Sequence, residues 1–178
     1  VERVLTGAVG PPEGAAEHWW NLLQEKREPG THARIPGMSS PFSEDRRKRV
    51  VYLLAWLVEV GVLKHSLRVW DAKLGQFCRD EEFERIEMIG DNIVKCVITD
   101  RLHVAFPPEE GGVSAKLAWV QQCIDSNEGL LRIFDYLQLD KIIGNSLSNS
   151  KFKSDVVECL FGELQLLLWA CSAPGGKL

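Results

Sequence analysis

Apolar positions cluster in a few long stretches of this chain, and within them their spacing is helical rather than alternating. The longest run is VVYLLAWLVEVGVL, from Val50 to Leu63, preceded by SEDRRKR with Ser43 as a candidate N-cap and acids in the first turn. A second helical stretch extends from about Glu81 to Phe106 and is stopped by Pro107-Pro108. PPEEGG reads as a turn, after which VSAKLAWVQQCIDS resumes the spacing through Val113, Leu117, Val120 and Ile124. EGLLRIFDYLQL predicts a short helix, IIGNSLSNSK a loop, and KSDVVECLFGELQLLLWA a last helix. Strand-like alternation is nearly absent and there is no internal repeat, so the pattern predicts an all-α domain.

Residues 1–44 differ from this. GAVGPPEG and EPGTHARIPGMSSPFS are rich in Pro, Gly and Ser, which favour turns and open loop. Between them AAEHWWNLLQEKRE, Ala15 to Glu28, has the pattern of one amphipathic helix, with Trp19, Leu22 and Leu23 on one face. The expected organisation is an N-terminal extension over 1–44, a helical domain over 45–171 and a tail over 172–178. A chain of 178 residues with 45% hydrophobic content can bury a sizeable core. The Val50–Leu63 run is too short to span a bilayer and carries Glu59, so no membrane association is expected.

The formal net charge of −4 argues against a wholesale polyanion binder but leaves local basic patches open. DRRKR, Asp45 to Arg49, fits a solvated helix start better than a phosphate contact. Five cysteines without a CxxC pair indicate reduced thiols in an intracellular protein, with Cys96, Cys123 and Cys159 expected in the core. The six tryptophans are also expected to be mostly core by their spacing. No histidine falls in a zinc-ligand pattern.

The acids within the apolar helices carry the candidate chemistry. In ERIEMIGD, Glu84, Glu87 and Asp91 stand at i, i+3 and i+7, and at about 100° per residue they share one strip. That strip continues through Val94 and Ile98, while Ile86, Ile93 and Val97 lie opposite, a two-sided apolar character typical of buried helices. In the last helix Asp155 and Glu158 are at i, i+3, on a face that includes Gly162, where a second helix would be able to approach closely. Four carboxylates brought into a core without counter-charge are very unfavourable, and a hard divalent cation held by oxygen ligands resolves that. Asp155-x-x-Glu158 is equally the pattern of a capping box, and acids in DEEFERIE suit a helix N-terminus. Asp91, well inside its helix, is the acid that capping explains least.

ERIEMIGD also resembles the signature of the ribonuclease III family, usually written ERLEFLGD. Further elements follow in the family's order: EGGVS from Glu110 resembles its EGxLS, Ser126-Asn127-Glu128 its SNE, and KSDVVECLFGEL its KADxxEALIGA. LKHS, Leu63 to Ser66, echoes its THxS. The resemblance covers roughly Phe83 to Ala170. It departs from the family at Met88, where Phe is usual, and at Leu117, where Arg or Lys is usual and Lys116 stands beside it. The resemblance implies a ribonuclease III-like fold and a Mg²⁺-dependent endoribonuclease, with Mn²⁺ as substitute. Its metal-binding catalytic acids would be Glu87, Asp91, Asp155 and Glu158, with Glu84 and Glu110 accessory. It further implies double-stranded RNA as substrate and a homodimer whose signature helix lies at the interface, a heterodimer with a related subunit being the variant.

Lys151 and Lys153, just before the second acid pair, are the expected contacts to the RNA backbone. Family members carry a double-stranded-RNA-binding domain beyond this region, where the sequence continues as CSAPGGKL, so RNA grip from elsewhere is one expectation. The N-terminal half and the spacing resemble kinetoplastid mitochondrial members that process precursor or guide RNAs, which implies a mitochondrial location. Two rival readings accompany this one: a non-catalytic ribonuclease III-like subunit that dimerises with an active relative, and an all-α interaction domain whose acids are caps.

Overall fold

The computed structural model describes residues 44–106 and 114–172. The expected helix from Ala15 to Glu28, the Ser43 cap, Trp19 and Trp20, the turn containing Glu110, and the tail after Ser172 lie outside the described residues. Those described form six helices and one short hairpin: α1 Glu44–Glu59, β1 Trp70–Asp71, β2 Gln76–Phe77, α2 Glu81–Ala105, α3 Ser114–Asp125, α4 Asn127–Leu137, α5 Leu139–Ile143 and α6 Ser150–Ser172. The fold is therefore predominantly helical, as the periodicity predicts. Among the described residues no helix is long and apolar enough to cross a membrane.

α6 packs most extensively on α2, then on α4, while α1 meets α4 and α5. Val156, Val157 and Leu160 of α6 are buried against Phe83, Ile86 and Val94 of α2 and Phe134 of α4 in one core. The contact between α2 and α6 depends on glycine. A methyl group on Gly90 would overlap the Glu158 carbonyl and come within 2.9 Å of Gly162 N, and one on Gly162 would overlap the Ile86 carbonyl. The close approach expected at Gly162 is thus present, and Gly90 is its counterpart.

The hairpin was not expected from the sequence. Asp71 Oδ1 accepts from the backbone N–H groups of Lys73 (2.8 Å) and Leu74 (3.1 Å), a side-chain turn that Gly75 completes at φ +62. β1 and β2 pair antiparallel, Trp70 opposite Phe77. The rings of Trp70 and Phe77 lie 4.8 Å apart, and Phe77 in turn meets Phe152 at 5.9 Å, which docks the hairpin on the start of α6. The chain then enters α2 through Asp80, whose Oδ1 accepts from Phe83 N at 2.7 Å.

Several sequence expectations are corrected here. α6 begins at Ser150, with Asn149 Oδ1 accepting from Phe152 N at 3.1 Å, so Asp155 and Glu158 sit inside the helix and form no capping box. α2 buries residues from both apolar strips, Val94 on one and Ile86 on the other, but not along its whole length or all round: Val97, on the Ile86 side, is 44% exposed, and Met88 is 65% exposed. Cys96 and Cys123 are exposed, and of the three expected core thiols only Cys159 is buried. Trp119 and Trp169 are exposed as well, because α3 buries none of its residues and α6 outruns the core at its C-terminal end.

Candidate metal centre

The glycine contact between α2 and α6 decides which side chains meet. Glu87 leaves α2 one turn before Gly90, and Asp155 and Glu158 leave α6 in the turns before Gly162, so the three carboxylates converge where the backbones are closest. One carboxylate oxygen from each lies within 4.8 Å of the other two. Asp155 is 1% exposed and Glu158 8%. Glu87 is half-buried.

Two cations of the chain address this cluster. Arg79 spans it, with Nη1 donating to Asp155 Oδ2 at 2.7 Å and Nη2 to Glu87 Oε2 at 2.7 Å. Its guanidinium lies 5.3 Å from the Phe83 ring centre and 5.7 Å from that of Phe152, so two aromatic rings flank it. Lys151, one turn before Asp155, pairs with Asp155 Oδ1. Asp155 therefore has both oxygens engaged. Glu158 does not: among the described residues, neither a hydrogen bond nor an ion pair reaches its carboxylate.

Burial pushes the Glu158 carboxyl up to about 7, opposed by Lys151 and reinforced by the charges of Asp91, Glu87 and Asp155. Glu87 is raised too, by burial first and by Asp155 next, with Arg79 and Lys151 pulling it down. Lys151 is raised, chiefly by its hydrogen bond to Asp155. The centre thus contains one buried acid that no donor of the described residues contacts. An all-carboxylate donor set of this kind could hold a metal ion.

Not every expected residue joins. Asp91 is outside the three-acid group; its carboxylate turns to Lys95, one turn along α2, at 2.6 Å, although its charge still acts on Glu158. Glu84 is exposed at the rim, 3.9 Å from Arg79 Nη2. Lys151 points into the cluster, whereas Lys153 pairs with Asp135 of α4 at 3.1 Å and lies over the Phe134 ring. Glu110 lies outside the described residues.

Two functional neighbours escaped the sequence reading. Arg79 gives no local signal, since its partners are 8 and 76 residues away. Glu163 of α6 is buried and binds the Lys64–Ser66 turn, accepting from the N–H groups of Lys64 (2.5 Å), His65 (3.2 Å) and Ser66 (3.1 Å) and from Ser66 Oγ (2.6 Å). A lone acid in FGELQLLL was its only sequence signal. This turn leads through the hairpin to Arg79, and His65 Nδ1 stands 3.9 Å from the capping Asp80. Compared with known proteins, the chain matches no family model, no curated protein and no solved structure.

Proposed function

We propose that this chain is a metal-dependent endoribonuclease of ribonuclease III type, cleaving double-stranded RNA as a dimer. The observation that carries the reading is the convergence of Glu87, Asp155 and Glu158 from two helices, with Glu158 buried and contacted by no donor among the described residues. The ordered motifs from ERIEMIGD to KSDVVECLFGEL support it from the sequence. Glu87, Asp155 and Glu158 would hold the cation. When bound, it supplies Lewis-acid activation of water and neutralises charge developing on a phosphodiester. The chain's own part is orientation: the Gly90–Gly162 contact fixes the two helix axes, and the cap at Asp80 fixes where α2, and so Glu87, begins.

A second reading has its own support. Arg79 and Lys151 offset much of the cluster's charge, and Asp91 is committed to Lys95, the arrangement expected of a non-catalytic subunit that pairs with an active relative. One assay separates the two. Labelled duplex RNA is incubated with the protein in Mg²⁺ and in chelator, alongside Asp155→Asn. The nuclease reading expects discrete cuts in Mg²⁺ only, lost in the variant while duplex binding is retained. Absence of cuts from a folded, duplex-binding parent, or equal cutting by Asp155→Asn, removes it.

A further inference from the structure

Arg79 holds the oxygens that a divalent cation would need. Asp155 Oδ2 and Glu87 Oε2 each accept from it at 2.7 Å, and Asp155 Oδ1 is paired with Lys151, so no oxygen of Asp155 is left without a cationic neighbour. A guanidinium is a permanent cation, and its planar fork is suited to spanning two carboxylates. A dication at the same oxygens would meet its positive charge within contact distance.

The residue is also held in a way that frees only its side chain. On one side Cys78 N donates to Val69 O at 2.8 Å, closing the hairpin; on the other, Asp80 caps α2. The backbone is therefore fixed at both neighbours. The side chain is partly exposed, with exposed Glu84 3.9 Å from its Nη2.

We infer that Arg79 is a built-in competitor for the divalent cation: it spans Glu87 and Asp155 in the cation-free protein, swings outward when the cation binds, and so sets the concentration at which the centre fills. This rests on the cation-site reading above. Arg79 is thus a positioning residue, holding the two carboxylates apart from solvent and near their working places until it is displaced.

The test is calorimetric titration of the 178-residue chain and its Arg79→Gln and Arg79→Lys variants with manganese chloride, with thermal melts in chelator to confirm folding. Removing the competing charge should tighten Mn²⁺ binding about tenfold or more in Arg79→Gln, while Arg79→Lys, which keeps the charge, stays within about threefold of the parent. A merely structural arginine predicts the reverse, since losing it would leave binding unchanged or weaker. Should Arg79→Gln fail to fold, the parent alone decides: phenylglyoxal labelling of Arg79, read by mass spectrometry, should speed up several-fold, to about threefold or more, as Mn²⁺ saturates. Equal dissociation constants in all three proteins, or labelling indifferent to Mn²⁺, overturn the inference and leave the cation site standing. If neither parent nor variants bind Mn²⁺, the cation site itself fails, and the inference with it.

Discussion

Burying a carboxylate without a hydrogen bond is unfavourable because its charge loses water and gains nothing in return. Glu163 and Glu158, five residues apart on α6, show the two outcomes. Glu163 recovers its solvation from four donors of the Lys64–Ser66 turn, while Glu158 receives none from the described residues. Glu158→Gln keeps the shape and removes the charge, so in chelator the variant should be more stable than the parent by about 1 kcal/mol. Mg²⁺ should stabilise the parent by about 2.7 kcal/mol at a hundredfold excess over its dissociation constant, and the variant much less. Thermal melts of both proteins, in chelator and in Mg²⁺, give the comparison; a destabilised variant together with a parent indifferent to Mg²⁺ would remove Glu158 from any cation site. At this scale the sequence was informative about acids and silent about their long-range partner, Arg79. Glu87, Asp155 and Glu158 were legible as acids in apolar helices, whose charge had to be answered somehow. That Arg79 answers part of it depends on a contact across the fold that spacing does not encode. Lys151–Asp155 and Asp91–Lys95, by contrast, are i, i+4 pairs, each within one helix, that the spacing offered and the sequence reading passed over.

At the scale of elements, the geometry of the centre is a consequence of two glycines. Backbone atoms of α2 and α6 occupy the space that a side chain on either residue would need, and neither can retreat without moving its helix. Gly90→Ala should therefore cost at least about 3 kcal/mol, an overpacking effect in an interface built on backbone contact. Because the helices must part to admit the methyl group, the same variant should also lose affinity for Mg²⁺. Chemical denaturation and metal titration of this one variant report the two effects, and an alanine accepted without loss of either would show that the helices are not held at this point. Gly162 was readable in advance, since a glycine on the acid-bearing face of a helix implies a close neighbour. The hairpin was not, because each of its strands has only two paired residues, too few for an alternating pattern. The start of α6 was misjudged for a related reason. Asn149 caps it within a stretch, NSLSNSK, where several polar residues are equally plausible caps.

For the whole molecule, the question is what the outer side of α2 faces. Met88 lies exposed on the same helix that carries Glu87, and Val97, further along and on the side of buried Ile86, is exposed as well. Exposing large apolar side chains is ordinary when they are scattered, so neither residue alone argues for a partner. What gives them meaning is the proposed activity, in which two centres straddle one duplex and the signature helices of two copies meet. The parent should then sediment as a dimer at micromolar concentration. Met88→Glu places a charge on that surface. Since Met88 is 65% exposed, the change should alter the stability of the single chain by no more than about 0.5 kcal/mol. Sedimentation should nevertheless shift to monomer and duplex cleavage should fall, while Mg²⁺ binding to the chain persists, because Glu87, Asp155 and Glu158 all come from one copy. A parent that is monomeric and inactive on duplex RNA would end the dimeric nuclease reading. A dimer unmoved by Met88→Glu would place the interface on another face, leaving the centre to work from a different arrangement of the two copies.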